Sequence, residues 1–127
     1  MSEKNIQTLI LLAASKIPGV TVYRHNVGNG VVGKVKDLGG GHFHVIGHRM
    51  PFGLCPGGSD IIGFRTVTVD GKPFARFIAI EVKSETGTLE PDQKHFIEFV
   101  RAAGGIAIVA RSVEEAVAGL VNSTLEL

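Results

Sequence analysis

The alternation of apolar and polar positions predicts a long β-hairpin in the middle of the chain. Two apolar, β-type stretches, residues 60–69 and 72–83, are separated by Asp70-Gly71, a strong signal for a two-residue hairpin turn. If Val69 and Lys72 flank that turn, the register places Asp60 directly opposite Glu81. We therefore expect two strands that each carry a carboxylate at the open end of the hairpin.

Helical patterns lie on both sides of this hairpin. Ser2 is a suitable N-cap for an amphipathic helix over residues 3–16, Pro91 suits the first turn of a second helix, and Ser112 begins a capping box for a third. The predicted elements, in chain order, are helix 3–16, strand Val20–Arg24, a glycine-rich ribbon with strand pieces at Val31–Val35 and Phe43–His48, the hairpin 60–83, a helix from Pro91 to about Ala103, strand Ile106–Ala110 and a final helix after Ser112. This order predicts an α/β fold in which helices flank a mixed β-sheet, built as one domain over residues 1–127.

The same hairpin register creates one unfavourable pair. Arg65 comes to lie opposite Arg76, and like charges at paired positions destabilise a sheet. Two explanations stay open. A β-bulge can shift the outer part of the strands, or both arginines can turn away toward solvent or a polyanion.

Composition agrees with a compact globular protein. The chain has 127 residues, of which 44% are hydrophobic and 20% are charged, so a core can form without disulfides. It contains one cysteine, Cys55, no apolar run of transmembrane length, and no signal-peptide pattern in Met1-Ser2-Glu3-Lys4. These features predict a cytoplasmic setting. The formal net charge of +1 does not by itself indicate a partner.

The acidic residues of the hairpin are the strongest chemical signal. Opposed carboxylates need a cation between them, and two carboxylates with a strand carbonyl can supply about half of an octahedral Mg²⁺ shell. Lys83 lies two residues beyond Glu81, hence on the same face and about 6.6 Å further along the strand. A metal with a nearby lysine suits phosphodiester hydrolysis. The alternative is that Asp60 and Glu81 are ordinary solvent-facing acids at strand ends.

The arrangement resembles the PD-(D/E)XK nuclease superfamily, and more specifically the virus-type replication-repair nuclease (VRR-NUC) family. The matching segments are Gly58-Ser59-Asp60-Ile61-Ile62-Gly63, Ile80-Glu81-Val82-Lys83, Gly87 with Gln93, and residues 103–112 followed by Glu114-Glu115. Together they cover about half of the chain. The superfamily's leading proline is absent, because Ser59 precedes Asp60, and this family tolerates that departure. The resemblance implies a restriction-endonuclease-like fold.

The resemblance also implies roles for individual residues. Asp60, Glu81 and the Val82 carbonyl would bind Mg²⁺ or Mn²⁺, and Lys83 would be the catalytic lysine. Gln93 would hold water or phosphate, although a glutamine in a first helical turn often only caps the helix. Glu3 would be an additional acid near the metal, acting directly or through water.

The implied function is a DNA endonuclease from a phage or bacterium, dimeric and acting on branched DNA such as Holliday junctions. Its glycine-rich segment, residues 28–56, is a candidate arm exchanged between subunits. A nuclease for flaps, ends or duplex DNA stays open, as does a non-catalytic DNA-binding accessory protein. Candidate contacts to the DNA backbone, which can equally be ordinary polar surface residues, are Arg24, His25, Lys34, Lys36 and Arg49.

Two other chemistries receive less support. His42, His44 and His48 alternate in a way that suggests zinc, but no cysteine pair accompanies them. Gly39-Gly40-Gly41 lacks the lysine and the serine or threonine of a P-loop.

Overall fold

A computed structural model describes residues 1–123 as a mixed β-sheet flanked by three helices, together with a separate β-ribbon. The predicted α/β fold class is confirmed. None of the helices in residues 1–123 has the length and apolar character needed to span a bilayer. The elements are α1 (Glu3–Ala14), β1 (Val20–Arg24), β2 (Gly28–Gly39), β3 (His42–Phe52), β4 (Ile61–Val69), β5 (Lys72–Val82), α2 (Pro91–Ala102), β6 (Ile106–Ala110) and α3 (Val113–Asn122).

The main sheet has the strand order β1-β4-β5-β6. β4 pairs antiparallel with both β1 and β5, and β5 pairs parallel with β6 across the α2 crossover. The predicted hairpin register is confirmed, since Val69 pairs with Lys72 and the ladder runs without a shift to Ile61 and Ile80. Asp70 and Gly71 both have positive φ, 51° and 77°, as a type I′ turn requires.

The core consists of two apolar layers, one on each face of this sheet. Alternate residues of β5 point to opposite faces, so Ile78, Ile80 and Val82 pack under α1 and α3, while Ala79 packs with α2. By the same alternation Glu81 points to the α2 face. Glu81 therefore does not enter the larger apolar layer, which lies under α1 and α3.

The like-charge pair is present, and the arginines diverge. Arg65 lies opposite Arg76 in an uninterrupted ladder, so no bulge removes the conflict. The Arg65 guanidinium donates to the carbonyl oxygens of Leu120 and Ser123 at the end of α3, whereas Arg76 Nε donates to the carbonyl of Gly104, 2.7 Å away. Each positive charge thus binds carbonyl oxygen at the C-terminal end of a different helix, where the helix dipole favours a cation.

Strands β2 and β3 form a two-stranded sheet of their own, which we call the ribbon. It is longer than the strand pieces predicted from the sequence, because glycine-rich stretches that read as loop are paired strand. Gly33 faces Gly47 across the ribbon, and a Cβ on either would fall about 2 Å from a backbone oxygen of the opposite strand. These glycines therefore permit the pairing rather than interrupt it.

Candidate active site

Asp60 is anchored where β1, β4 and β5 meet. Its carbonyl accepts a hydrogen bond of 2.7 Å from the backbone N–H of His25, which extends the pairing of β1 with β4. Its carboxylate oxygen Oδ2 accepts from the backbone N–H of Val82 at 2.8 Å. The side chain therefore joins β5 at the point where β4 begins, and the register carried one pair beyond Ile61 and Ile80 places Asp60 opposite Glu81.

Glu81 is a carboxylate buried at the end of β5. Only 2% of the residue is exposed, and its Oε2 has no hydrogen-bond donor beside it within residues 1–123. Burial, the neighbouring Asp60 carboxylate and a hydrogen bond to Asp60 raise the pKa of Glu81 to about 8, which the nearby Lys83 opposes. Isolated buried carboxylates are costly, so this environment favours a cation at the uncompensated oxygen.

Lys83 is the charged partner of Glu81 and is itself buried. Its Nζ lies 3.9 Å from Glu81 Oε1, and only 8% of the residue is exposed. The backbone N–H of Lys83 donates to the carbonyl of Ala110 at 3.0 Å, which continues the pairing of β5 with β6. The predicted trio Asp60, Glu81 and Lys83 therefore converges at one end of the sheet.

Glu3 also lies close to this cluster. Its Oε1 accepts from the backbone N–H of Ser84 at 3.1 Å, and its charge contributes to the raised pKa of Glu81. In the described part of the chain, no three Asp, Glu, His or Cys side chains are grouped as a ready-made metal cage. A divalent cation would therefore rely on Asp60 and Glu81 with backbone oxygens and water. The uncompensated Glu81 oxygen fits such a cation.

A polar cleft opens beside Asp60. It has a volume of about 340 Å³, and its lining comprises His25, Asn26, Val27, Gly57, Gly58, Asp60 and Gln93. Gly57 has a positive φ of 82° and passes so close to α2 that a Cβ there would lie 2.4 Å from the carbonyl oxygen of Asp92. The loop before β4 is thereby held against the first turn of α2, which brings Gln93 to the cleft.

Gln93 has the capping role that the sequence left open as an alternative. Its Oε1 accepts from the backbone N–H of Glu90 at 2.9 Å in a reciprocal capping box. Because Gln93 also lines the cleft, the cap fixes its amide group at the edge of the candidate site. Its predicted contact with water or phosphate remains a prediction.

His25 lies at the cleft with both ring nitrogens engaged. Nε2 accepts from the backbone N–H of Leu54 at 3.0 Å, so Nδ1 carries the proton and donates to the carbonyl of Ser59 at 2.8 Å. The imidazole therefore bridges both ends of the loop that leads to Asp60. Arg24 is similarly engaged, donating to side-chain oxygens of Gln7 and Thr8 on α1.

The other predicted DNA contacts lie on the ribbon. Paired residues share a face, so Lys34 and Lys36 lie on one face and Arg49 on the other. All three side chains are exposed. The sequence placed them in one group, whereas the register divides them between two surfaces.

Sequence reasoning missed Arg111, which supports the segment that follows Lys83. Its Nη1 donates to the carbonyls of Ser84 and Gly87, at 2.6 and 2.5 Å. The available signal was its position immediately after β6, because neighbouring parallel strands end at the same edge of a sheet.

Comparison with known families agrees with this geometry. The family model of the VRR-NUC domain matches residues 49–114, just over half of the chain. The matched stretch contains β4, β5, α2 and β6, and hence Asp60, Glu81, Lys83 and Gln93. No curated protein matches the chain.

Proposed function

Because this chain belongs to the VRR-NUC domain family and is therefore a nuclease of the PD-(D/E)XK type, we propose that it is a Mg²⁺- or Mn²⁺-dependent DNA endonuclease that acts on branched DNA such as Holliday junctions. The observation that carries the proposal is the buried Glu81 carboxylate. One of its oxygens faces Lys83 at 3.9 Å and the other has no donor among the described residues, next to the cleft that contains Asp60.

In the proposed hydrolysis, one group of residues binds the metal and Lys83 acts on the attacking water. Asp60, Glu81 and the Val82 carbonyl would hold the metal, with Glu3 as an additional acid that acts directly or through water. When bound, a divalent cation polarises the phosphoryl group and lowers the pKa of an attacking water. The Lys83 ammonium orients that water and stabilises the negative charge that develops on the phosphoryl oxygens.

DNA approaches through the polar cleft. Gln93 holds water or a phosphate oxygen at its edge, and Arg24 and His25 extend the polar surface from β1. The ribbon lysines Lys34 and Lys36, and Arg49 on the opposite face, contribute contacts to the DNA backbone. Such contacts position the substrate without reading its sequence.

We further propose that the active form is a homodimer in the cytoplasm of a bacterial or phage-infected cell. One site of this kind cuts one strand, and symmetric incision of a four-way junction needs two sites related by a twofold axis. The exposed ribbon, which extends from the body of the protein, is the candidate subunit contact.

The decisive experiment compares a labelled four-way junction with a flap and a linear duplex, each incubated with Mg²⁺, Mn²⁺ or EDTA. We expect metal-dependent incision that is fastest on the junction. Faster cutting of the flap or the duplex would reassign the substrate within the same fold. Metal-independent binding without cutting would support the accessory-protein alternative.

Variants assign the site in the same assay. Asp60→Ala, Glu81→Ala and Lys83→Ala should each abolish incision while junction binding is largely retained, because these residues serve the chemistry more than the affinity. Glu98→Ala and Lys16→Ala remove exposed charges of the same types outside the cleft and serve as controls. Full activity in all three site variants would refute the assignment.

A further inference from the structure

His25 determines where the residue before Asp60 lies. Ser59 is fully buried at the end of residues 54–59, which we call the approach loop. A buried carbonyl oxygen without a hydrogen-bond donor is costly, because the group has lost its contact with water. The donor to the Ser59 carbonyl is the imidazole Nδ1 of His25, 2.8 Å away. The approach loop therefore depends on this ring at the point where it joins Asp60.

The same imidazole binds the other end of the approach loop. Its Nε2 accepts from the backbone N–H of Leu54 at 3.0 Å. Between these two attachments, the backbone N–H of Gly58 donates to the carbonyl of Cys55, also at 3.0 Å. Hydrogen bonds that join both ends of a loop to one side chain restrict the conformations available to the loop. His25 thus forms a bridge across the whole approach loop.

Close packing restricts the approach loop further. A Cβ on Gly58 would lie 2.8 Å from Cε1 of the His25 ring, and a Cβ on Gly57 would lie 2.4 Å from the carbonyl oxygen of Asp92. The glycine backbone therefore passes close to both the imidazole and the first turn of α2. Residues without a side chain permit such an approach, so Gly57 and Gly58 fit the loop to its two neighbours.

The main chain of His25 holds the peptide group on the other side of Asp60. The backbone N–H of His25 donates to the Asp60 carbonyl at 2.7 Å, while its ring donates to the carbonyl of Ser59. These two carbonyls belong to the two planar peptide groups that flank the Asp60 Cα. Because those two groups together set the direction of the Cα–Cβ bond, His25 fixes the direction in which the Asp60 carboxylate leaves the main chain.

We propose that His25 is a positioning residue for the metal site, which directs the Asp60 carboxylate by holding the peptide groups on both sides of it. This inference rests on the metal-dependent hydrolysis of the proposed function and adds a residue to it. It also gives the imidazole a role other than DNA contact, because both ring nitrogens are engaged by the backbone and neither is left for a phosphate. Groups that orient a metal ligand contribute to metal affinity without touching the metal.

Binding of Mn²⁺ alone, followed by the electron paramagnetic resonance signal of the free ion, tests this role without DNA. His25→Asn and His25→Leu have side chains of the same branched shape, but only asparagine can donate to the Ser59 carbonyl. We expect His25→Leu to weaken Mn²⁺ affinity about tenfold, the lower end of the effect of groups behind a metal ligand, and His25→Asn to weaken it by less than about threefold. The Mn²⁺ concentration for half-maximal junction cleavage should rise by the same factors, with a maximal rate close to that of wild type.

Controls separate positioning from DNA contact and from a general loss of stability. Junction affinity measured in EDTA should be the same for wild type and His25→Leu. Arg101→Met removes a side-chain bond to a carbonyl outside the cleft and should keep the wild-type Mn²⁺ affinity. Circular dichroism checks that each variant is folded. His25→Gln, whose amide group corresponds to Nε2 rather than Nδ1, should behave like His25→Leu and replaces it if leucine prevents folding.

The outcomes distinguish this inference from the proposed function. Equal Mn²⁺ affinity in wild type and His25→Leu, or an equal loss in His25→Leu and His25→Asn, would overturn the role of the bond to Ser59. A loss of junction affinity in EDTA with unchanged Mn²⁺ affinity would assign the imidazole to DNA instead. Absence of Mn²⁺ binding by wild type would overturn the proposed metal site together with this inference.

Discussion

The Asp60 carboxylate accepts a hydrogen bond from the backbone N–H of Val82, 2.8 Å away. The main-chain ladder of β4 and β5 ends with Ile61 and Ile80, so this bond lets a side chain continue the pairing by one step. The same carboxylate group faces the cleft and lies close enough to raise the pKa of Glu81. Asp60 therefore has a structural role and a proposed catalytic role, and substitutions can separate them.

Asp60→Asn and Asp60→Ala should differ in stability but not in activity. The asparagine retains a side-chain oxygen that can accept from Val82, whereas alanine leaves this N–H without its acceptor. We expect Asp60→Ala to lower the free energy of unfolding by about 1–3 kcal/mol and Asp60→Asn to lower it by much less. Urea denaturation measures the difference, and both variants should fail to cut DNA. Equal stability of the two variants would show that the bond to Val82 contributes little.

Glu81 predicts a specific pH dependence of stability in the metal-free protein. Its pKa rises from 4.5 to about 8 on folding, so the folded state binds more protons than the unfolded state between these values. The free energy of unfolding contributed by this group should therefore be highest below pH 4.5, decrease as the pH rises through that window, and level off above pH 8. The slope for one proton cannot exceed about 1.4 kcal/mol per pH unit.

The measurement is urea denaturation in EDTA at several pH values. Glu81→Gln removes the titrating group and should be flatter than wild type across the window. Because other groups titrate in both proteins, the difference between the two curves is the quantity of interest. The free energy of unfolding of wild type minus that of Glu81→Gln should fall as the pH rises. An increase of this difference with pH would contradict the raised pKa.

Arg111 should affect the site through the segment that follows Lys83. Arg111→Met removes the donors to the carbonyls of Ser84 and Gly87, and we expect it to lower the free energy of unfolding by about 1–3 kcal/mol. Because Lys83 precedes this segment, the single-turnover rate of cleavage should also fall, with little change in junction affinity.

Arg101→Met is the matched control for Arg111. Arg101 likewise donates to a backbone carbonyl, that of Ala107, but at the start of β6. We expect a comparable loss of stability with an unchanged single-turnover rate at a temperature where both variants are folded. An equal loss of rate in both variants would mean that Arg111 has only a structural role.

The ribbon lysines should contribute to DNA affinity through charge. Replacing Lys34 and Lys36 together with alanine removes two phosphate contacts on one face, so the slope of log affinity against log salt should decrease by roughly 2. Fluorescence anisotropy in Ca²⁺ measures this without cleavage. Arg49→Ala, on the opposite face, tests whether DNA reaches one surface or both, and Lys16→Ala is the control. An unchanged slope in the double variant would remove the ribbon from the DNA interface.

Local signals made much of this architecture predictable. The Asp70-Gly71 turn fixed the hairpin register, and with it the positions of Asp60, Glu81 and Lys83, because a two-residue turn leaves no freedom in the pairing. The capping and proline signals located all three helices to within about two residues. In each case, residues adjacent in the chain determine the structure.

The features that escaped prediction depend on contacts between distant residues. The link from Arg111 to Ser84 spans 27 positions, and the link from His25 to Ser59 spans 34. No periodicity or spacing encodes such bonds. The full length of the ribbon was also missed, because Gly28, Gly30 and Gly39 lower the strand propensity at the ends of β2, and only the pairing with β3 makes these residues part of a strand.

The ribbon leaves the body and returns to it at nearly the same place. A Cβ on Gly53 would lie 2.6 Å from the carbonyl oxygen of Asn26, so the two ends of the excursion touch. β1 and β4 pair directly with each other across this junction. We therefore expect a short linker between Asn26 and Gly53 to leave the pairing of β1 with β4 intact. A change in the length or surface of this excursion would then leave the end of the sheet that carries Asp60, Glu81 and Lys83 in place.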